Sequence, residues 1–441
     1  MSRIYNFIRY LYFVLGTKGL IGLFLRMGML VRRFDLSGNK MKKAILEIEQ
    51  IGKKYKYESA LITPAVILKR HRNFLRHLSD ETLEFAIHGY EHRDFKPLSL
   101  DEQTVQIKKA QDLYKELGVP AYGFRAPYLS LNSYTTEAVR KNNFLWESHE
   151  AMIWNGFSNY SLSKFRHFMA NAIHQLYNPF DAQKNIGIPR LQDGVVCIPV
   201  TLPDDEILID RLGIKDLNRI ENIWTEILKK IIHRGDIFVL QLHPERFAIC
   251  RKAMEGLLKK ASSPKQNIWV TGMREVAEWW KEKSQFKLTF QNVSRKKYQV
   301  HCKCTDRATV LCRNFCSETS QAPFYRDYHL IEEREFYIKS ENLKPCIGVH
   351  PRCSKTLRNF LEDEGFPYEV SDLNSKCSIF LEEYETFARK DEMTLLSRIE
   401  ENPNPIVRYW LWPNETRSAF VTTHDLDCLT LTDFLLKAFE K

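Results

Sequence analysis

Short apolar runs alternate with stretches of helical periodicity over most of the chain, and this alternation restricts the possible folds more than any other feature. Lys40–Tyr55 carries Ile45, Ile48 and Ile51 at near-helical spacing, as in an amphipathic helix. Asp236–Leu242 is a strongly apolar run with the length of a buried strand. About seven such strand–helix units follow one another, so we predict a barrel-like α/β domain.

The length of 441 residues predicts two or three domains. We predict an apolar, basic N-terminal segment over 1–24 and the α/β barrel over 25–285. A polar linker, Lys281–Gln285, precedes a change in pattern that predicts a smaller α+β domain over 286–405. The final stretch, 406–441, reads as a strand–helix tail.

The N-terminal segment is apolar but is interrupted by charged residues. Arg9, Lys18 and Arg26 break it before any stretch reaches the roughly 18 apolar residues of a membrane-spanning helix. No small-residue cleavage site of a signal peptide follows. Two interpretations remain open: two short helices that pack on the body of the protein, or an interfacial segment at a membrane surface. We therefore expect a cytoplasmic protein, with peripheral contact at the inner membrane face as the second possibility.

The charge pattern disfavours nucleic acid as a partner. The chain has 65 Lys and Arg against 55 Asp and Glu, a net charge of +10. The basic residues are scattered, and nothing resembles an RNA-binding signature or a zinc-finger recognition helix. Ten cysteines at uneven spacing do not form the dense framework of a small secreted domain, so a reducing compartment is the simpler interpretation.

Three short motifs follow predicted strands and carry residues capable of chemistry. His88 and His92 are four residues apart with Gly89 between them, so both imidazoles can reach one divalent cation. The other two motifs supply an arginine beside a rigid turn and a histidine at the end of an apolar strand. Each alone is weak, because a structural histidine or an ordinary turn is the commoner explanation. These two motifs are Arg125-Ala126-Pro127-Tyr128 and Leu242-His243.

Taken together and in this order, the three motifs resemble those of the NodB-homology polysaccharide deacetylases, a carbohydrate esterase group that removes acetyl groups from sugars. The resemblance covers about residues 25–285. It implies a distorted (β/α) barrel, a bound zinc or other divalent metal ion, and an acetylated glycan as substrate. Transferred residue by residue, it makes His88 and His92 metal ligands and His243 a catalytic residue.

The first motif of the family departs from its usual form here. The family has an Asp-Asp or Asp-x-Asp pair that supplies a base and a metal ligand, whereas the corresponding segment, Arg33–Gly38, offers only Asp35. An apolar strand near the end of the chain runs into Asp425-Leu426-Asp427, which looks like the missing motif displaced to the tail. Three other interpretations stay open: an abbreviated second deacetylase unit, an acidic cap for the last helix, or a site for another cation.

The resemblance and the tail together predict a metal-dependent deacetylase. Asp425 or Asp35 would act as base, and Arg125 would keep that carboxylate ionised and oriented. Pro127 and Tyr128 would form a substrate-binding wall. The metal ligands would be His88, His92 and Asp427, and His243 would protonate the departing amine.

Two other function classes stay open, and the sequence does not predict an oligomeric state. One is a non-catalytic carbohydrate-binding or glycan-assembly protein with a degenerate deacetylase fold. The other is hydrolysis of an amide that is not on a sugar. Two further acidic features could belong to the site. Pro203–Glu206 could face the barrel mouth, and Glu147 could stand in for the family's aspartate that tunes the catalytic histidine.

Overall fold

A computed structural model gives the structure of the chain. It describes residues 28, 30–78, 82–154, 173, 176–314, 323–340, 343–372 and 376–437. The N-terminal segment predicted over 1–24 lies outside these residues. Among the helices of the described ranges, none is both long enough and apolar enough to cross a membrane.

The strands and helices of the described residues are numbered in chain order. The strands are β1 Ser59–Thr63, β2 Leu83–Ile87, β3 Ala121–Phe124, β4 Trp146–Glu147, β5 Ala151–Ile153, β6 Phe180–Asp181, β7 Arg190–Gln192, β8 Val195–Cys197, β9 Val200–Leu202, β10 Ile237–Leu242, β11 Ile268–Val270, β12 Lys287–Ser294, β13 Lys297–Lys303, β14 Val310–Arg313, β15 His329–Ile331, β16 Glu335–Lys339, β17 Lys344–Val349, β18 Tyr368–Val370, β19 Cys377–Leu381, β20 Ile406–Tyr409 and β21 Ser418–Asp425. The α-helices are α1 Asn39–Tyr55, α2 Ala65–Arg70, α3 Arg72–Leu75, α4 Leu100–Glu116, α5 Thr135–Lys141, α6 Leu217–Arg234, α7 Pro244–Ala261, α8 Met273–Lys283, α9 Lys355–Asp363, α10 Arg389–Glu401 and α11 Leu431–Lys437.

The largest sheet is curled and its main strands are parallel. Neighbouring pairs run β9–β10–β21–β1–β2–β3–β4–β8. The strands β8 and β9 are consecutive pieces of one extended segment, as are β4 and β5, and β5 pairs with β9. The paired strands therefore form a closed ring. This is the distorted (β/α) barrel that the sequence predicts.

The strand β21 belongs to this barrel although it lies near the end of the chain. It pairs in parallel with β1 on one side, where Ile62 is opposite Asp425, and with β10 on the other, where Leu242 is opposite His424. All eight residues of β21 are buried, as expected for a strand inside a parallel sheet. The barrel is thus built from the early part of the chain and completed from the C-terminal tail.

The segment between the linker and β21 forms three small three-stranded sheets with α9 and α10. One sheet is antiparallel through β12, β13 and β16, and one is parallel through β17, β18 and β19. Its core is continuous with inward barrel side chains such as Val239 and Val421, through Trp279, Trp280 and Trp412. The α+β character predicted for this segment agrees with the structure, and its boundaries at 286 and 405 stay a prediction.

One local prediction is wrong. The pattern of Val31–Asp35 predicts a strand, but residues 31–33 are helical and Asp35 lies in a turn. The place of a first barrel strand beside β1 is taken by β21, so residues 31–35 have no neighbouring strand to pair with. Apolar residues in a short run fit either structure, and here the tertiary partner decides.

Candidate functional site

The carboxyl ends of four barrel strands bring the sequence motifs together. His88 follows β2, Arg125 follows β3, His243 follows β10, and Asp425 ends β21. The strands are parallel, so these ends meet at one mouth of the barrel, where barrel enzymes place their catalytic groups. Residues more than 300 positions apart are neighbours there.

Two histidines and one carboxylate converge at the centre of this mouth. The Nε2 atom of His92 lies 2.9 Å from Oδ1 of Asp427, and Nε2 of His88 lies 3.6 Å from the same oxygen. His88 and His92 are 1% and 5% exposed. The three ligand atoms lie within 4.8 Å of one another, as a common metal ion requires.

The electrostatics of the two imidazoles suit a cation site. Burial lowers the pKa of His88, and it lowers the pKa of His92 to about 3 against the attraction of Asp427. Both rings are therefore neutral and keep a lone pair. Nδ1 of His88 lies 2.8 Å from the Arg125 carbonyl oxygen, to which it donates when protonated. That hydrogen bond leaves Nε2 free to act as a ligand. Imidazole nitrogens and a carboxylate oxygen are donors that zinc accepts.

The turn between the two histidines depends on Gly89. Its φ of +79° lies in the left-handed region, and an added Cβ would meet the Glu91 carbonyl oxygen at 2.8 Å. A side chain at this position would open the turn that aims both rings at one point.

Arg125 and Asp425 form a buried ion pair beside the group of His88, His92 and Asp427. Nη1 of Arg125 lies 2.8 Å from Oδ1 of Asp425 and donates a second hydrogen bond to the Thr423 hydroxyl. Its other donors bind the Ser148 carbonyl and hydroxyl oxygens. The guanidinium is thus fixed on several sides. Oδ2 of Asp425 lies 3.9 Å from Nε2 of His88 and faces the same centre.

His243 is paired with Asp205, a residue in the acidic turn after β9. Nδ1 of the ring lies 2.7 Å from Oδ1 of Asp205, and Oδ2 accepts the backbone N–H of His243 at 2.8 Å. Burial opposes protonation, but the charge of Asp205 outweighs it and the pKa of His243 lies well above its ordinary value. Burial and the neighbouring Asp205 raise the pKa of Asp204 to about 7. Because Asp205 contacts His243, the acidic turn lies at the mouth of the barrel, as one interpretation of the sequence allows.

Tyr128 lies beside His92 and Pro127 lies close to Gly89, whereas Asp35 does not join them. The Tyr128 ring packs edge-on against His92 with 4.4 Å between centroids and is 42% exposed. Asp35 contacts the Ser37 hydroxyl and the backbone N–H of Lys40, in the turn before α1. Of the two aspartates considered as the base, Asp425 and not Asp35 faces the histidine pair.

Sequence reasoning missed one site residue and left the partner of His243 open. Lys437, at the end of α11, donates to Oδ2 of Asp427 at 2.8 Å. No motif marks this lysine, and only its position one helix after Asp427 could have suggested it. Glu147 does not contact His243; its carboxylate accepts from Thr136 and Cys197 instead. The ring partner of His243 is Asp205, from the turn the sequence left open.

Residues 35–145 match the polysaccharide deacetylase family. Among curated proteins, no sequence matches the chain significantly. Solved structures with similar folds include a Mycobacterium smegmatis protein assigned as a polysaccharide deacetylase (19% identity, TM-score 0.41, 54% of this chain and 76% of that one) and PuuE allantoinase (15%, 0.42, 54% and 72%). Another is BA3943 from Bacillus anthracis, described as a CE4 family pseudoenzyme (14%, 0.33, 54% and 61%).

Proposed function

Because residues 35–145 match the polysaccharide deacetylase family, we propose that this chain is a metal-dependent deacetylase that hydrolyses an N-acetyl or O-acetyl group on a glycan. One observation carries the proposal: His88, His92 and Asp427 converge at the barrel mouth beside Asp425 and His243. The sequence match covers a quarter of the chain, but the carboxylates that complete the group come from its far end.

The three converging residues would hold zinc or another divalent ion. The two Nε2 atoms and Oδ1 of Asp427 would be its ligands, and Asp427 supports this role because its pKa is well below the ordinary value. Burial raises that pKa, but His92 and Lys437 outweigh the effect. When bound, the ion would supply Lewis-acid polarisation of the acetyl carbonyl and of a water molecule.

Asp425 would act as the general base. Its Oδ1 is held by Arg125, which leaves Oδ2 directed towards the ligand group and able to accept a proton from the attacking water. The buried guanidinium fixes the orientation of the carboxylate. In this proposal Asp35 has no catalytic part.

His243 would act as the general acid. Its raised pKa keeps the ring protonated at neutral pH, so Nε2 has a proton to give to the leaving amine or alkoxide. Asp205 holds Nδ1 and thereby fixes which nitrogen faces the substrate. Pro127 and Tyr128 would form a wall of the substrate pocket beside His92.

The N-terminal segment gives a separate proposal about location. We keep the interfacial interpretation of residues 1–24 for a cytoplasmic protein, because apolar side chains alternate there with Arg9 and Lys18. Deleting 1–24 should reduce association with vesicles of anionic lipid. Unaltered vesicle binding would reject the membrane contact.

Metal analysis together with acetate release tests the proposed enzyme. The wild-type protein, His88→Ala and the exposed control Asp306→Asn would be stripped, reloaded with Zn²⁺ and supplied with a panel of acetylated oligosaccharides. We expect about one Zn²⁺ per chain and acetate release from the wild type and the control. His88→Ala should lose both.

Two results would contradict the proposal. Equal zinc content in the wild type and His88→Ala would show that His88 is not a metal ligand and would reject the proposed ligand group. Oligosaccharide binding without acetate release by the zinc-loaded wild type would instead favour the non-catalytic, carbohydrate-binding alternative.

A further inference from the structure

A groove on the outside of the barrel begins next to His243. It lies between α1 and α7 and has a volume of about 800 Å³. Along α7 its lining extends from Pro244 to Glu255, which is about 16 Å at 1.5 Å per residue. We call it the basic groove, lined by Arg32, Arg33, Lys40, Met41, Lys43, Ala44, Glu47, Leu217, Pro244, Glu245, Ala248, Ile249, Arg251, Lys252 and Glu255.

The groove has an excess of positive charge, with six basic and three acidic side chains. Its acidic groups are already engaged. Glu47 pairs with Arg251 at 3.1 Å, and Glu255 lies 3.5 Å from both Arg251 and Lys54. Glu245 pairs with Arg246. The carboxylates therefore leave little negative charge to neutralise the remaining cations.

Three of the cations have no carboxylate partner within the described part of the chain. Arg32, Lys43 and Lys252 are exposed, and no ion pair forms with any of them there. By contrast, Arg33 pairs with Asp210, and Nζ of Lys40 donates to two backbone carbonyls. Three unpaired cations in one concave channel attract anions more strongly than the same charges scattered over a convex surface.

The lining of the groove starts directly after a residue of the proposed site. Pro244 and Glu245 line it and directly follow His243. At its rim, Arg33 pairs with Asp210, and Asp210 also binds Arg246 at 2.8 Å. Asp210 lies in the helical segment that begins right after Asp205. A chain held in the groove would therefore lie along α7, the helix that begins directly after His243.

We propose that the basic groove binds the anionic part of the glycan substrate, so that the enzyme acts on glycans bearing carboxylate or phosphate groups. This inference rests on the proposed function for the reaction itself. The concave shape of the channel, and the position of Pro244 in its lining directly after His243, favour a glycan chain over a membrane surface. The three unpaired cations set the specificity for charge, and the apolar floor formed by Met41, Ala44 and Ala248 contacts the sugar faces.

Direct binding tests the groove independently of hydrolysis. The triple variant R32Q/K43Q/K252Q would be compared with K287Q/K303Q/K390Q, which removes three exposed charges elsewhere. The probes are a fluorescent oligogalacturonate (carboxylate), a phosphodiester-linked oligosaccharide (phosphate) and a neutral chitooligosaccharide. We expect about tenfold weaker binding of at least one anionic probe by the groove variant, and a smaller change for the neutral probe. The control should bind like the wild type.

The outcomes separate the two proposals. Equal loss of both anionic probes would indicate recognition of charge alone, and loss of only one would identify the group. Unchanged binding of both anionic probes would overturn the groove proposal even if acetate release is normal. Loss of binding to anionic vesicles, with glycan binding unchanged, would also overturn it and would assign the groove to a membrane. Anionic-glycan binding by a wild type that releases no acetate would retain the groove and reject the hydrolase.

Discussion

Two histidine–aspartate pairs at the barrel mouth have similar geometry and opposite electrostatics. His92 lies 2.9 Å from Asp427, and His243 lies 2.7 Å from Asp205. The four residues come from four different segments of the chain, and both histidine rings are almost fully buried. Yet the pKa of His92 falls to about 3, while the pKa of His243 rises well above its ordinary value.

The surroundings of the two carboxylates explain the difference. The Asp427 side chain is 24% exposed and shares its charge with Lys437, whereas the Asp205 side chain is fully buried and binds His243 at two points. Burial therefore decides the state of His92, and the Asp205 charge decides that of His243. One type of residue pair can thus provide a lone pair for a cation and a proton for a leaving group.

Among the substitutions that separate the two pairs, Asp427→Ala should have the largest effect on zinc content and on the rate of acetate release. It removes one of the three proposed ligands, so we expect zinc content to fall below about a tenth of one equivalent and acetate release to fall by about 10⁴-fold, since polarisation of both carbonyl and water is lost. Elemental analysis and initial rates measure the two effects. Full zinc content in Asp427→Ala would mean that the tail does not complete the site.

His243→Ala should have the next largest effect, on the rate alone. Loss of the proposed general acid should lower kcat by about 10³-fold while zinc content stays normal. Substrates with a better leaving group than an amine should lose less, because they need less protonation. If His243→Ala also loses zinc, the two histidine–aspartate pairs do not have separate roles, and the assignment of His243 as acid and His92 as ligand fails.

The fold was predictable because its signals are local. The helix over Lys40–Tyr55 and the strand over Asp236–Leu242 agree with α1 and β10 within a residue or so, since periodicity reports burial directly. The histidine motif was readable because four residues of spacing and one glycine define it. The strand predicted at Val31–Asp35 failed because its pairing depended on which distant segment lies beside β1.

The site was only partly predictable because its pairings are long-range. Asp425 and Asp427 could be suspected from an apolar strand ending in Asp-x-Asp, but their approach to His88 depends on the register of β21 against β1. The choice of Asp205 over Glu147 as partner of His243 depends on a turn of a few residues. Neither the His243–Asp205 pair nor the basic groove has a periodic pattern in the sequence.

Asp205→Asn should have a moderate effect that depends on pH. The amide removes the charge that raises the pKa of His243. The other charged neighbours of the ring include Asp204, Arg246, which lowers that pKa, and Glu245, which raises it. We expect the alkaline limb of kcat to move to lower pH by about one unit or more, with kcat near neutrality reduced about tenfold. An unshifted alkaline limb would show that His243 is not the acid.

The same substitution has a defined effect on stability. Because the folded-state pKa of His243 is raised, its contribution is fully present below the unfolded value of about 6.5 and is lost as pH rises through the folded pKa. Asp205→Asn should therefore lower the free energy of unfolding most at acidic pH. Urea unfolding of wild type and variant at several pH values measures this difference.

Lys437→Met should have the smallest effect and the opposite sign. Lys437 neutralises Oδ2 of Asp427 at 2.8 Å, so its ammonium repels a second cation at Oδ1. Its removal should tighten Zn²⁺ binding about threefold at low salt; the gain is small because the side chain is partly exposed and the repulsion is screened. Lys437→Arg keeps the positive charge and should match the wild type. Competition with a zinc chelator measures the affinity. Weaker binding in Lys437→Met would mean that the lysine holds Asp427 in its ligand position, and that the contrast between the two pairs depends on orientation more than on charge.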